Sequence, residues 1–286
     1  MRPFEYVAPR TVDEALDVLR RHRDDAKILA GGQSLVPLLN YRLARPRVVV
    51  DVNDLSLDGA RAENGRLWLG ALTRHATLVD SPDVARECPI LAEAASLVGN
   101  VRVRTLGTLG GSLAHADPAA ELPMVMLALD AGFSVASSSG VRRCTAAEFF
   151  TGALTTALGP DEMLTDVEIP STRGRGWAVE ELSRRAGDFA IVAVAALVSL
   201  DAQGRVEDAR VALGGVAPAP VRARAAEEDL RGVEPTAERV TRASDLARDA
   251  LAPGSDAFVS GAYRKLVAGV LVRRALARAV ARAKAA

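Results

Sequence analysis

Two glycine pairs carry the most specific chemistry in this chain of 286 residues. Gly31-Gly32 lies in KILAGGQSLVPLL, and Gly110-Gly111 in TLGTLGGSLAHADPAAELP, Thr105–Pro123. A strand that ends in Gly-Gly and enters a helix presents backbone N–H groups with no Cβ in the way, and such nests attract phosphate. One pair alone signals only a turn. Two pairs, each followed by serine and a helix-like or compact segment, point to one anionic ligand gripped from two sides. Glycine-dense segments are costly to order, and a bound ligand gives a reason to keep them. Neither pair fits G-x-G-x-x-G and neither precedes a P-loop lysine, which disfavours a standard Rossmann site and an ATPase. Thr108 and Ser112 flank the second pair with hydroxyl donors.

His115, Asp117 and Glu121 share the second stretch. A metal site or a general base is the sharp reading, but the chain has three histidines, His22, His75 and His115, and no closed ligand set is visible. His115 and Asp117 read better as residues that order the loop or contact the ligand. Glu121, before Leu122-Pro123, suits equally an acceptor for a ligand hydroxyl or amide and a charge at a helix start. No Ser/His/Asp or Cys/His constellation is evident, so no catalytic residue and no metal site are expected. A chain that grips a phosphorylated ligand without its own reactive groups is what a cofactor-borne chemistry requires. Cys88 and Cys144 are too few for an iron–sulfur cluster or a thiolate zinc site and read as reduced structural thiols. SRRAGDF, Ser183–Phe189, is either a solvated hairpin end or a turn over the ligand with Phe189 against a planar group. The residues alone favour the former.

Composition narrows the classes. Lys plus Arg and Asp plus Glu each total 36, so no bulk charge favours nucleic acid or a membrane surface. Aromatics make up 4% of residues, too few for a base-stacking surface. No apolar run approaches the ~20 residues of a membrane span. MRPFEYVAPR at the N-terminus has no apolar signal core, and the cytoplasm is the expected location.

The elements that position these residues follow from periodicity. TVDEALDVLRR (Thr11–Arg21) predicts an amphipathic helix with Thr11 as N-cap and Glu14 completing a capping box. Lys27–Ala30 reads as a strand broken by Gly31-Gly32, Ser34 as the cap of a helix over Leu35–Arg42, and RVVVDV as a buried strand. Strands are expected at Arg66–Gly70, Phe133–Ser137, Val141–Cys144 and Met163–Ile169, and helices at Thr73–Ser81, Pro89–Val98 and Ala119–Asp130. PSTRGRG (Pro170–Gly176) reads as a linker. Beyond it, Ala178–Ser183, Phe189–Leu200 and Arg205–Leu213 read as antiparallel strands. Arg222–Leu230, Ala237–Leu251 and Phe258–Ala283 read as helices. The last carries Lys and Arg but no acid from Arg264 onward, which suits a core-facing helix whose charged face meets solvent or a partner subunit. The class is α+β, with two mixed subdomains and a C-terminal sheet-plus-helices domain.

Taken together, AGGQSL from Ala30, TLGGSLAHADPAAELP from Thr108, DEMLTDVEIP from Asp161 and SRRAGDFA from Ser183 resemble the FAD-binding, or medium, subunit of the molybdenum hydroxylases. The likeness is to the aerobic carbon monoxide dehydrogenase flavoprotein and the xanthine dehydrogenase flavin domain, over essentially the whole chain. It implies a two-subdomain FAD-binding fold of the vanillyl-alcohol-oxidase (PCMH) type, 1–56 and 57–172, and a C-terminal domain, 173–286. It implies that Leu29, Ala30, Gly31, Gly32, Gln33, Ser34 and Leu35, with Thr108, Gly110, Gly111, Ser112 and His115, hold the pyrophosphate and neighbouring FAD atoms. By the same resemblance Glu121 is an acid near the cofactor, Leu164 gives a main-chain contact to the ring and Phe189 lies by the isoalloxazine. Relatives often carry Tyr at the Phe189 position and Lys in the region of Glu181. The partners implied are a molybdenum-cofactor large subunit and a [2Fe–2S] small subunit in a heterotrimer that can dimerise. A stand-alone flavoprotein is the alternative reading.

Overall fold

The computed structural model describes residues 1–285. The N-terminal part consists of β1 (Glu5–Val7), α1 (Val12–His22), β2 (Ala26–Leu29), α2 (Leu35–Asn40) and β3 (Val48–Asp51). β3 lies between β1 and β2 and runs parallel to both. A central parallel strand is covered on both faces and must be apolar throughout, and Val48, Val49 and Val50 are buried. The Thr11 hydroxyl caps α1 by accepting from the Glu14 N–H at 3.2 Å. The return half of the expected capping box is displaced by one residue: Glu14 Oε2 accepts from the Arg10 N–H at 2.8 Å. α2 ends at Asn40 instead of Arg42, whose φ of 61° cannot continue a helix. Ser34 occupies the N-cap position without a side-chain bond.

The next sheet gathers its strands from both sides of a helical insertion. In order come β4 (Ala60–Glu63), β5 (Arg66–Gly70), α3 (His75–Asp80), α4 (Pro82–Glu87), α5 (Pro89–Leu97), α6 (Val101–Leu106), α7 (Leu109–His115), α8 (Glu121–Ala128), β6 (Gly132–Ser137), β7 (Gly140–Thr145), α9 (Ala146–Phe149), β8 (Phe150–Gly152), β9 (Thr155–Thr156) and β10 (Met163–Pro170). The five-stranded order is β4-β5-β10-β6-β7, antiparallel throughout. Leu67, Leu69, Val167 and Ile169 alternate inward onto α5 and α8. The expected helices over Thr73–Ser81 and Ala119–Asp130 are shorter at both ends. α4, α6 and α7 were not foreseen, and α7 occupies the middle of the glycine-rich stretch.

Beyond it lie β11 (Gly176–Ser183), β12 (Ala190–Leu200), β13 (Val206–Gly214), β14 (Val221–Arg222), α10 (Arg224–Leu230), α11 (Ala237–Asp249) and α12 (Gly261–Ala283). The four strands pair antiparallel in sequence order. β12 is apolar on both faces for a visible reason. Val192, Val194, Ala196 and Val198 pack toward the C-terminal helices, while Ala193, Ala195 and Leu197 join the core of the five-stranded sheet. The Pro170–Gly176 connection is anchored, since the Thr172 N–H donates to the Glu87 carbonyl at 2.7 Å. The basic face of α12 meets solvent only in part, at the exposed Arg273 and Arg274. Arg278 and Arg282 both meet Glu93 of α5, and Arg264 meets Asp256, so these cations bind the chain's own carboxylates. The whole is α+β, as expected. Among the described residues no helix is long and apolar enough to cross a membrane.

Candidate functional site

A cleft of about 780 Å³ is lined by the β2–α2 turn, by α7, by β10 and by the tip of the β11–β12 hairpin. Its volume falls within the ~300–1,000 Å³ typical of small-molecule sites. Ala30, Gly31, Gly32, Gln33, Ser34, Leu35, Thr108, Gly110, Gly111, Ser112, His115, Glu121, Leu164 and Phe189 all line it. Leu29 does not; it ends β2, beneath the turn.

The first glycine turn is an open nest. Gly32 has φ of 70°, the left-handed region that favours glycine. Gln33 Nε2 donates to the Gly31 carbonyl at 2.9 Å and pulls that oxygen into the turn. The backbone N–H groups of Gly32, Gln33, Ser34 and Leu35 find no acceptor among the described residues. Gly31 is glycine because nothing larger fits. A Cβ there would sit 2.2 Å from the Leu106 carbonyl oxygen and 2.7 Å from Gly107 Cα. The two glycine segments therefore touch, backbone against backbone.

The second pair departs from the nest expected of it. Thr108 caps α7 by accepting from the Gly111 N–H at 3.1 Å, and its carbonyl accepts from Ser112 at 3.0 Å. The Leu109 N–H donates to the Thr73 carbonyl at 2.9 Å and the Gly110 N–H to the Ala71 carbonyl at 2.7 Å. All four leading donors of this helix are thus engaged within the chain. Gly110 serves close packing instead, since a Cβ would lie 2.7 Å from Ala71 Cβ. Leu109 and Leu113 are fully buried, while Gly111, Ser112 and His115 line the cleft. What this side offers an anion is the Thr108 and Ser112 hydroxyls and the bare surface of Gly111.

Glu121 opens α8 and is 5% exposed. Burial pushes its carboxyl up to about 7, with Glu181 and Asp117 adding to the rise. The folded chain holds this proton more tightly than the unfolded chain. The resulting stabilisation is complete below the unfolded value of 4.5 and is lost as pH rises through about 7. Glu121→Gln removes the ionisation. The cofactor-free variant is expected to lose that part of the fall in melting temperature between about pH 5 and 8, and to exceed the parent at pH 8 by on the order of 2–3 kcal/mol. Parallel slopes for the two proteins would show Glu121 to be solvated.

Asp117 orders its own turn by accepting from the Ala119 N–H at 2.8 Å. Leu164 sits at the register shift of β10 against β6, where the ladder skips to Asp166. Phe189 is 63% exposed at the cleft mouth. Its hairpin is seated against the cleft wall, with Gly187 packed so closely that a Cβ would lie 2.6 Å from the Gly99 carbonyl oxygen.

Three residues here have no signature in the sequence. Arg74 donates to the Leu106 carbonyl and, at 2.7 Å, to Asn53 Oδ1. Asn53 Nδ2 donates to the Ala30 carbonyl at 2.9 Å. His75 is 4% exposed, and burial drives it down to about 4, so the ring is neutral. Its Nε2 lies 2.9 Å from the Thr108 carbonyl, which can only accept, so Nε2 carries the proton. Nδ1 is buried without a partner. Only the three-dimensional contacts single these side chains out.

A family model described as FAD binding domain in molybdopterin dehydrogenase matches residues 2–172, and one described as CO dehydrogenase flavoprotein C-terminal domain matches residues 177–279. The chain is 41% identical to the 6-hydroxypseudooxynicotine dehydrogenase complex subunit alpha of Paenarthrobacter nicotinovorans, over 99% of this chain and 97% of that one. It is 38% identical to the carbon monoxide dehydrogenase medium chain of Hydrogenophaga pseudoflava, over 98% of each. The solved structure of carbon monoxide dehydrogenase from Hydrogenophaga pseudoflava lacking the Mo-pyranopterin moiety of the molybdenum cofactor matches with a TM-score of 0.95 at 39% identity, covering 99% of both chains. The chain belongs to the family of FAD-binding flavoprotein subunits of molybdopterin dehydrogenases, and so is an FAD-binding subunit of an oxidoreductase.

Proposed function

We propose that the cleft is the FAD site and that this chain is the electron-transferring subunit of a complex with a molybdenum-cofactor large subunit and a [2Fe–2S] small subunit. The observation that carries this reading is the meeting at one cleft of the Gly31-Gly32 turn after β2 and the Gly107 turn between α6 and α7, with the donors of Gly32–Leu35 unused. A pyrophosphate supplies the acceptors that these N–H groups lack. Thr108 and Ser112 add hydroxyls from the other side. Glu121 accepts from a cofactor hydroxyl or amide, Leu164 gives the ring a main-chain contact and Phe189 an apolar one. The chemistry that bound FAD supplies is redox: electrons arrive from the [2Fe–2S] partner and leave to an external acceptor. This chain's residues bind and orient the cofactor and shield it from water.

The domain division belongs to the same reading. Residues 1–56 supply the open nest, 57–172 supply Thr108–Ser112, Glu121 and Leu164, and 173–286 supply Phe189. The apolar clusters cross these boundaries: Leu72, Ala136 and Met163 pack with the N-terminal core, and Ala193, Ala195 and Leu197 with that of the five-stranded sheet.

The purified protein is expected to show flavin bands at roughly 370 and 450 nm and to release FAD on denaturation. It is also expected to co-purify with stoichiometric molybdenum and iron–sulfur subunits when these are co-expressed. Gly111→Val tests the α7 side of the cleft. Beyond the backbone of α7 itself, a Cβ there meets Thr108 Oγ1, at 2.7 Å, among the described residues, and the rest of the new side chain enters the cleft. The variant is expected to fold, at the cost of a helix cap worth about 1 kcal/mol, and to lose FAD. A folded Gly111→Val protein with normal FAD content would remove the start of α7 from the site.

A further inference from the structure

We infer that Arg74 and His75 are the positioning pair of the cofactor cleft, engaging three successive carbonyl oxygens of the second glycine segment so that none is left bare to the ligand, and tying that segment to the first. The inference rests on the reading of the cleft as the FAD site.

Gly107 and Thr108 line the cleft, so their backbone orientation decides what a bound anion meets. A carbonyl dipole aimed at a phosphate repels it, whereas an N–H or hydroxyl attracts it. Residues 74 and 75 take all three carbonyls at issue. Arg74 Nη1 donates to Leu106, the His75 N–H to Gly107 at 3.0 Å, and His75 Nε2 to Thr108 at 2.9 Å. With its carbonyl so held, Thr108 is free to cap α7 through its hydroxyl.

The second half of the device is a brace between sheets. Arg74 Nη2 donates to Asn53 Oδ1, and Asn53 Nδ2 donates to Ala30 on the edge of the open nest. Asp51 Oδ1 steadies Asn53 by accepting from its side-chain and backbone nitrogens at 2.6 and 3.0 Å. The Leu106 oxygen bonded by Arg74 is the same atom that leaves no room for a Cβ at Gly31. One guanidinium therefore fixes the point at which the two turns touch. The task needs a planar fork that reaches two acceptors at once, which lysine does not possess. It also needs a neutral imidazole with the proton on Nε2, and burial together with the nearby Arg104 and Arg74 charges keeps the ring in that form.

The test is FAD affinity of the cofactor-stripped chain, read by flavin fluorescence, beside its melting temperature. Arg74→Ala and His75→Phe are expected to raise the FAD Kd roughly ten- to hundredfold. Arg74→Lys, which keeps the charge but not the fork, is expected to fall between Arg74→Ala and the parent. His75→Gln restores an N–H donor for Thr108 and is expected to recover most of the affinity lost in His75→Phe. If Arg74→Ala does not fold, a parent-like Kd in Arg74→Lys overturns the role of the fork. Lower melting temperatures with unchanged Kd values would make the pair merely structural and overturn the inference. Failure of the parent chain itself to take up FAD would instead sink the cofactor reading.

Discussion

A Gly31→Val chain is expected to emerge from purification without FAD and with a clearly lowered melting temperature. The added Cβ would lie 2.2 Å from the Leu106 oxygen and 2.7 Å from Gly107 Cα, and both are backbone atoms. Neither can swing aside as a side-chain tip would. Arg74 and His75 hold the Leu106 and Gly107 carbonyls from behind. Overpacking of this kind costs about 1–3 kcal/mol where side chains can yield, and more where backbone must move. The way to relieve it is to part the two turns. That separates the Gly32–Leu35 donors from the Thr108 and Ser112 hydroxyls, so the same movement that relieves the clash takes the site apart. Gly111→Val is the control, because its new side chain fills the cleft and, beyond its own helix, meets the Thr108 hydroxyl instead of a backbone atom. FAD per chain and the melting temperature of the cofactor-free protein separate the two variants. Loss of both is expected at Gly31, and loss of FAD with a small thermal shift at Gly111. A Gly31→Val protein with full FAD and the parent melting temperature would show that the turns do not touch.

Most regular elements were legible because each answers to a local rule. RVVVDV needs no partner to look like a covered strand, and Thr11 with an amphipathic run after it marks a helix start. RLWLG shows its register in the alternation itself, with Leu67 and Leu69 below 2% exposure and Trp68 on the other face. α7 was illegible because glycine is among the poorest helix formers, about 1 kcal/mol per residue below alanine. What stabilises that helix is supplied from elsewhere: Thr73 and Ala71 take its first two N–H groups, and its glycines permit contact with Ala71. The second nest failed for the same reason. Glycine density reports close approach of backbone, and sequence does not say whether a ligand or another strand approaches. The Arg74–Asn53–Ala30 brace was invisible because its members lie in three separate segments, none with a motif. Arg264, Arg278 and Arg282 of α12 read as surface charges because their partners, Glu93 and Asp256, are set by tertiary contact.

The largest loss of stability from one truncation is expected at Arg222, remote from the cleft. Its side chain is 7% exposed and that of Glu227 is 4% exposed. Nε and Nη2 donate to the two Glu227 carboxylate oxygens at 2.6 and 3.0 Å, and Nη1 donates to Asp130 at 2.8 Å and to the Leu127 carbonyl at 3.3 Å. Glu227 also accepts from the Val211 N–H at 2.8 Å. One guanidinium thus joins the C-terminal sheet and α10 to the far end of α8, the helix that begins with Glu121. Arg222→Ala leaves the Glu227 carboxylate buried without its main partner, a change that costs about 3–5 kcal/mol. An exposed pair such as Arg20–Asp17 is worth ~0–1 kcal/mol by comparison. At ~2–4 °C per kcal/mol, the melting temperature is expected to fall by on the order of 10 °C. The cost comes from the stranded charge, so Arg222→Met combined with Glu227→Gln is expected to recover much of it, since glutamine still accepts from Val211. Arg224 Nη1 is 3.5 Å from Glu227 and, among the described residues, is the cation placed to compensate. A melting temperature within about a degree of the parent in Arg222→Ala, restored to a large fall by adding Arg224→Ala, would show that Arg224 takes over and that Glu227, not Arg222, is the member the fold depends on.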